Sequence, residues 1–178
     1  MKYITILLAV MTLLSFGFSN KEAEPLYNKI NSQTPAKKLL KSSTDFQADL
    51  NGGEEVPPVK TKAQGEATFN LSKDGDSIHY KITVSNLENV NMAHIHQGAF
   101  GKNGPIVVWL YPSEPSAKLI SGKTDGVLAE GAITSANLAG PLKGKTITDL
   151  LNDIKSGNAY VNVHTLQNAA GEIRGQIK

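Results

Sequence analysis

The sequence has 178 residues, of which 40% are hydrophobic and 19% are charged. This is enough for one globular domain with its own core, but not comfortably for two. The formal net charge is only +2 and comes almost entirely from lysine, since Arg174 is the only arginine. A weak and scattered positive charge argues against nucleic acid as a partner.

The N-terminal segment has the pattern of a secretory signal peptide. Lys2 is followed by a nearly uninterrupted apolar run from Ile4 to Phe18, and polar residues begin at Ser19. The run is short for a bilayer span, which favours a cleaved signal at 1–19 over an uncleaved anchor. We therefore expect a secreted or periplasmic protein with no membrane span after signal cleavage.

The sequence contains no cysteine. An exported chain of this kind has no disulfides, so its fold depends on its core, and bound ions are the remaining means of cross-linking it. This fits a bacterial envelope or medium better than a small disulfide-built scaffold. Residues 20–44 are polar without a sustained period and are predicted to be a flexible linker.

Short alternating segments separated by glycine and proline begin at residue 45, which is typical of antiparallel strands. A hairpin is expected where two alternating segments, 66–71 and 78–84, flank an Asp74-Gly75 turn. Further strands are expected around the 94–96 segment and at 106–111, 126–133, 159–163 and 172–177.

One convincing helix is predicted at 147–155. Thr146 is its expected N-cap, Asp149 its reciprocal capping partner, and Leu150, Leu151 and Ile154 its buried stripe. Many short strands with one helix predict an all-β domain over 45–178, either a Greek-key antiparallel β-sandwich or a flattened barrel.

Three of the four histidines fall on predicted strands. Because side chains alternate along a strand, His94 and His96 share one face. Val163 is expected to face the core, which turns His164 to the opposite face, and the same alternation turns all three rings away from the core. Three neutral imidazoles near the surface favour Cu(II), with Zn(II) as second choice. His94, His96 and His164 are the predicted metal ligands, provided that their strands are neighbours.

Two alternatives use the same residues differently. In a metal-free structural or adhesive module, the histidines are ordinary polar strand residues. In a copper-dependent oxidoreductase they hold a redox ion, and Arg174 is the guanidinium that attracts an anion. No histidine lies between His96 and His164, which removes the zinc half of a bimetallic centre. The sequence favours binding over catalysis.

Other polar residues carry weaker predictions. His79 is expected to be a solvated surface residue and the first candidate for a fourth ligand. Glu54 and Glu55 are expected to be solvated loop carboxylates, and Trp109 is expected to pack in the core or at an edge.

Several motifs together resemble one family. They are Leu-Asn-Gly-Gly-Glu-Glu-Val-Pro-Pro-Val at 50–59, Ala-His-Ile-His-Gln-Gly-Ala at 93–99, Asn-Gly-Pro-Ile-Val-Val at 103–108, and the segments 159–165 and 171–177. In this order they resemble the CHRD domain, named after chordin and also found singly in exported bacterial proteins. Where many members have a proline before Gly-Glu-Ile-Arg-Gly, this chain has Asn168-Ala169-Ala170.

The resemblance implies an extracellular module of poorly defined activity. A more distant likeness links the His-x-His strand and its Gly-rich turn to the copper strand of copper-zinc superoxide dismutases. The sequence therefore predicts an exported CHRD-like binding module that holds one transition-metal ion, copper before zinc. An extracellular protein or surface component is a further candidate partner.

Overall fold

The computed structural model describes residues 44–178. The signal peptide predicted at 1–19 and the linker predicted at 20–44, except its last residue, lie outside the described residues. The described region contains seven β-strands and one α-helix: β1 (Asp45–Asn51), β2 (Gln64–Leu71), β3 (Ser77–Gln97), β4 (Ile106–Tyr111), β5 (Ile120–Thr134), α1 (Ile147–Lys155), β6 (Ala159–Thr165) and β7 (Ile173–Gln176).

The longest strand, β3, pairs with four other strands. The first part of its 21 residues pairs with β2 on one side and β5 on the other, and the last part pairs with β6 and β4. The sequence predicted two separate strands here. The structure joins them through irregular pairing with β5, at which Asn86 and Asn89 have φ of 56° and 53°. Asparagine tolerates this left-handed conformation better than most residues, so the chain continues without a glycine.

Five strands, β1, β2, β3, β6 and β7, form a hydrogen-bonded ring in which every pairing is antiparallel. The β1–β7 contact closes the ring through the pair Asn51 and Arg174 and through two backbone bonds between Gln47 and Lys178. The fold is therefore all-β with one short helix and a barrel-like closure, as predicted. Strands β4 and β5 are not part of the ring, and each pairs with β3.

The hydrophobic core is built largely from alternate apolar residues of the strands, including Phe69, Ile82, Ile95, Val161 and Ile173, all fully buried. Helix α1 packs its apolar stripe of Leu150, Leu151 and Ile154 inward, as predicted. The predicted capping is confirmed too: Asp149 N donates to Thr146 Oγ1 at 3.3 Å, and Thr146 N donates to Asp149 Oδ2 at 2.8 Å.

Candidate metal centre

The three predicted ligand histidines meet because β3 and β6 are direct neighbours. The register pairs His94 with Asn162 and Met92 with His164, so His164 lies diagonally across from His94. His94 Nδ1 is 3.0 Å from His164 Nε2. One ring nitrogen from each of the three residues lies within 4.8 Å of the other two. The condition that the strands be neighbours is met, and metal binding itself stays a prediction.

The prediction that these rings point to the surface was wrong. His94, His96 and His164 are 1%, 9% and 6% exposed. They do lie on the face opposite Ile95 and Val163, but every residue of β6 is buried, so that face is covered as well. The alternation of side chains along a strand identifies the face that each side chain occupies. Whether that face is buried depends on the loops that fold over it, and loop sequences carry no such periodic pattern.

Three connections cover this face. The β3–β4 loop (98–105) contacts His96, the β6–β7 loop (166–172) contacts His164, and the β1–β2 loop (52–63) brings Glu55 against Gly171. We call the buried side chains beneath them the polar layer, which consists of Glu55, His94, His96, Asn162, His164 and Arg174.

Backbone carbonyls orient two of the rings. His96 Nδ1 is 2.8 Å from Gly104 O, and His164 Nδ1 is 3.0 Å from Ala169 O. A carbonyl only accepts, so both Nδ1 atoms carry the proton and both Nε2 atoms keep a lone pair. His164 Nε2 then accepts from His94 Nδ1, which leaves His94 Nε2 as an acceptor. Each ring therefore has a lone pair of the kind that a metal ion binds.

Burial keeps these rings neutral. Burial, together with the neighbouring His164 and His96, lowers the pKa of His94 to about 3. The pKa of His96 is lowered by burial and by Arg174, and raised by Gly104 and by the Asn162 side chain beside it. The pKa of His164 is lowered by burial and by His96 against the effect of Ala169. Neutral imidazole is the ligand form, so protons compete weakly for this site.

Aromatic rings enclose the histidines. The Trp109 ring meets His94 edge-on, with centroids 4.3 Å apart and planes at 90°. Tyr160 stacks on His96 with centroids 4.9 Å apart and planes 8° from parallel. Trp109 is half-buried in β4, and as the chain's single tryptophan it is a natural optical reporter of the site.

Arg174 is not available to attract an anion from solvent, which corrects the role considered for it. Its side chain is 1% exposed, and the guanidinium carbon lies 3.4 Å from the centroid of the Tyr160 ring. Its two terminal nitrogens donate to Asn103 Oδ1 at 3.0 Å and to Lys102 O at 2.8 Å. Arg174 therefore holds the covering β3–β4 loop in place.

Sequence patterns missed Glu55. It was expected to be solvated, but it is 5% exposed, and burial raises its pKa to about 7 against the opposing effect of Arg174. No local signal separates Glu55 from Glu54, since only loop closure buries it. Asn162 could have been found, because it alternates with His164 on the same strand face. His79 is exposed and lies outside the histidine cluster, so it is not the fourth ligand.

The side-chain atoms of the polar layer that no protein group satisfies are all acceptors. They are Glu55 Oε1, His94 Nε2, His96 Nε2 and Asn162 Oδ1. A buried acceptor without a donor costs about 1–3 kcal/mol. Such a set, with imidazole lone pairs among its members, complements a cation.

The spacing fits a metal ion after a small adjustment. An ion bonded to each imidazole at about 2.0–2.1 Å can hold two nitrogens at most about 4.2 Å apart. At tetrahedral angles the spacing is about 3.4 Å, so the 4.8 Å limit on the observed spacing exceeds the metal-bound spacing by about 0.6–1.4 Å, which the rings must close by rotating toward the ion. A metal ion bound at His164 Nε2 would replace the hydrogen bond from His94 Nδ1.

The family described as the CHRD domain matches residues 46–177. This chain belongs to the CHRD family. This chain is 30% identical over 125 residues to a Xenopus laevis protein named Chordin, covering 68% of this chain and 12% of that protein. The CHRD chain therefore corresponds to a small part of its relative. No solved structure gives a significant match. Over residues 44–178, no helix has the length and apolar character of a membrane span.

Proposed function

We propose that this CHRD domain is a binding module that holds one transition-metal ion through His94, His96 and His164. One observation carries the proposal: three buried imidazoles converge within 4.8 Å, and no protein donor reaches the Nε2 atoms of His94 and His96. Burial favours the neutral rings that a metal needs.

Copper is the first candidate and zinc the second. A site of imidazoles without thiolate suits both ions, and the intrinsic affinity order of divalent metals places Cu(II) above Zn(II). The proposal is for binding, since Arg174 is committed to the covering loop and Tyr160.

We place this function outside the cytoplasm, in a secreted or periplasmic protein. The support is the signal-like pattern at 1–19. An extracellular protein or surface component is the candidate partner besides the metal. N-terminal sequencing of protein recovered from the medium or envelope tests the location: we expect a start near Asn20, and an intact Met1 contradicts it.

Calorimetric titration with Cu(II) and Zn(II) tests the metal proposal. We expect one equivalent to bind with a Kd tighter than about 10 µM, equivalent to roughly 7 kcal/mol of binding free energy. Quenching of Trp109 fluorescence should follow the same Cu(II) titration, because the indole contacts His94.

His96→Ala should weaken binding at least tenfold, since it removes one ligand. His79→Ala is the matched control, because His79 is exposed and outside the cluster. Binding weaker than 10 µM by the unaltered protein, or equal losses in the two variants, means that the three histidines do not form the site.

A further inference from the structure

Glu55 is fixed in the covering β1–β2 loop by bonds on both sides of it. Asn103 Nδ2 donates to Val56 O at 2.8 Å, and Gln176 N donates to Glu54 Oε2 at 3.3 Å. The Glu55 carboxyl is thereby held inside, and its Oε1 atom is buried without a protein donor.

The Glu55 carboxyl and the Asn162 amide both approach Gly171. A Cβ atom built on Gly171 would lie 2.4 Å from Glu55 Oε1 and 2.8 Å from Asn162 Nδ2, so both side chains crowd the same point. Asn162 pairs with His94 on β3 and with Arg174 on β7. Glu55 therefore lies near Asn162, which stands between His94 and Arg174 in the strand register.

Charge balance singles out this carboxylate. Three neutral imidazoles with a divalent ion add two positive charges to a layer that already contains Arg174, and buried charge is costly unless it is compensated. Glu172, also buried, already accepts from Thr61 and Thr165 at 2.7 Å and from Asn168 at 3.0 Å. Among the residues 44–178, no ion pair involving Glu55 is found.

We propose that Glu55 supplies the negative charge of the metal site, acting through Asn162 from outside the ligand set and thereby favouring divalent over monovalent copper. This rests on the proposed function. Glu55 is a positioning and charge-compensating residue, because the atoms within 4.8 Å of one another belong to the three histidines and exclude it.

The test compares Cu(II), Zn(II) and Cu(I) affinities in the full chain, in Glu55→Gln and in the matched control Glu54→Gln. Loss of an outer partner that orients or tunes the metal ligands typically costs about 10–100-fold in metal affinity. We expect a loss of that size for Cu(II) and Zn(II) in Glu55→Gln and a much smaller loss for Cu(I). Glu54→Gln keeps an acceptor for Gln176 N and should bind all three ions like the unaltered chain.

A rescue variant separates charge from packing. Glu55→Asp keeps the charge and should retain most of the Cu(II) affinity, and it also serves if Glu55→Gln does not fold. Three outcomes would overturn the role of Glu55 while leaving the proposed metal site intact. They are equal Cu(II) binding by Glu55→Gln and the unaltered chain, equal losses of Cu(I) and Cu(II) affinity in Glu55→Gln, and a Glu55→Asp variant that binds Cu(II) as weakly as Glu55→Gln. If the unaltered chain binds no metal, the proposed function fails and this inference fails with it.

Discussion

His94 and Glu55 lie in the same polar layer, and burial moves their pKa values in opposite directions. Burial lowers the pKa of His94 to about 3 and raises that of Glu55 from 4.5 to about 7. Both shifts favour the uncharged form, as expected where water is excluded. The metal-free site is therefore kept nearly neutral apart from Arg174, and a bound cation would change that balance.

The pH dependence of stability tests the position of Glu55. Its folded pKa is raised, so its contribution to the stability of the metal-free protein is complete below pH 4.5 and is lost as pH rises through 7. Glu55→Gln removes this loss. With chelator present, the variant should match the unaltered protein near pH 4.5 and be more stable by about 1–3 kcal/mol at pH 8.

Urea denaturation at several pH values measures this difference. His94 has the opposite sign, because its lowered pKa costs stability as pH falls from 6.5 toward 3, but it contributes equally in both proteins and cancels. A difference that does not change with pH would mean that Glu55 is not a buried titrating group.

At the scale of elements, the site depends on the β3–β6 register and on the β3–β4 loop. Strand β3 carries two histidines on one face, and the loop returns so closely that Gly104 O reaches His96 Nδ1 at 2.8 Å. A Cβ atom on Gly104 would lie only 1.7 Å from Gln97 O. Glycine is therefore required where the loop folds back over the ring.

Gly104→Ala should displace this loop from His96. We expect the free energy of unfolding to fall by about 2 kcal/mol or more, in the range of strained backbone substitutions, and metal affinity to fall with it. The matched control is Gly53→Ala, whose added Cβ meets only Asn51 Oδ1 at 3.1 Å. Comparable stability of the two variants in urea would contradict the loop geometry.

Sequence patterns predicted the elements whose signals are local. Thr146 and Asp149 define the start of α1, and Asp74-Gly75 defines the β2–β3 turn. Strand β5 was predicted to begin at Gly126 but begins at Ile120, because its first residues are mostly exposed and do not alternate. The face that carries the histidines follows from period two, whereas their burial depends on long-range loop contacts such as that of Glu55 with Gly171.

At the scale of the whole molecule, the ring of five strands is closed by hydrogen bonds without any disulfide. A metal ion held by His96 and His164 would tie β3 to β6 and fix the loops above them. In this account the ion acts as a cross-link in a chain that has no cysteine. Binding to the folded state must then raise stability by mass action.

Thermal unfolding measures that stabilisation. Free Zn(II) at about 100 times its Kd should add about 2.7 kcal/mol. For a domain of this size, we expect a rise in Tm on the order of 10 °C. Chelator should reverse the shift, and His96→Ala should show little of it. A shift of equal size in His96→Ala would place the stabilising ion elsewhere.

The electron paramagnetic resonance spectrum of the protein with one equivalent of Cu(II) reports directly on the number of histidines that bind the ion. A three-histidine site gives a single copper species with hyperfine coupling to three imidazole nitrogens, reduced to two in His96→Ala and unchanged in His79→Ala. A spectrum with fewer than three coupled imidazoles in the unaltered protein, or one that His96→Ala leaves unchanged, would contradict the three-histidine site.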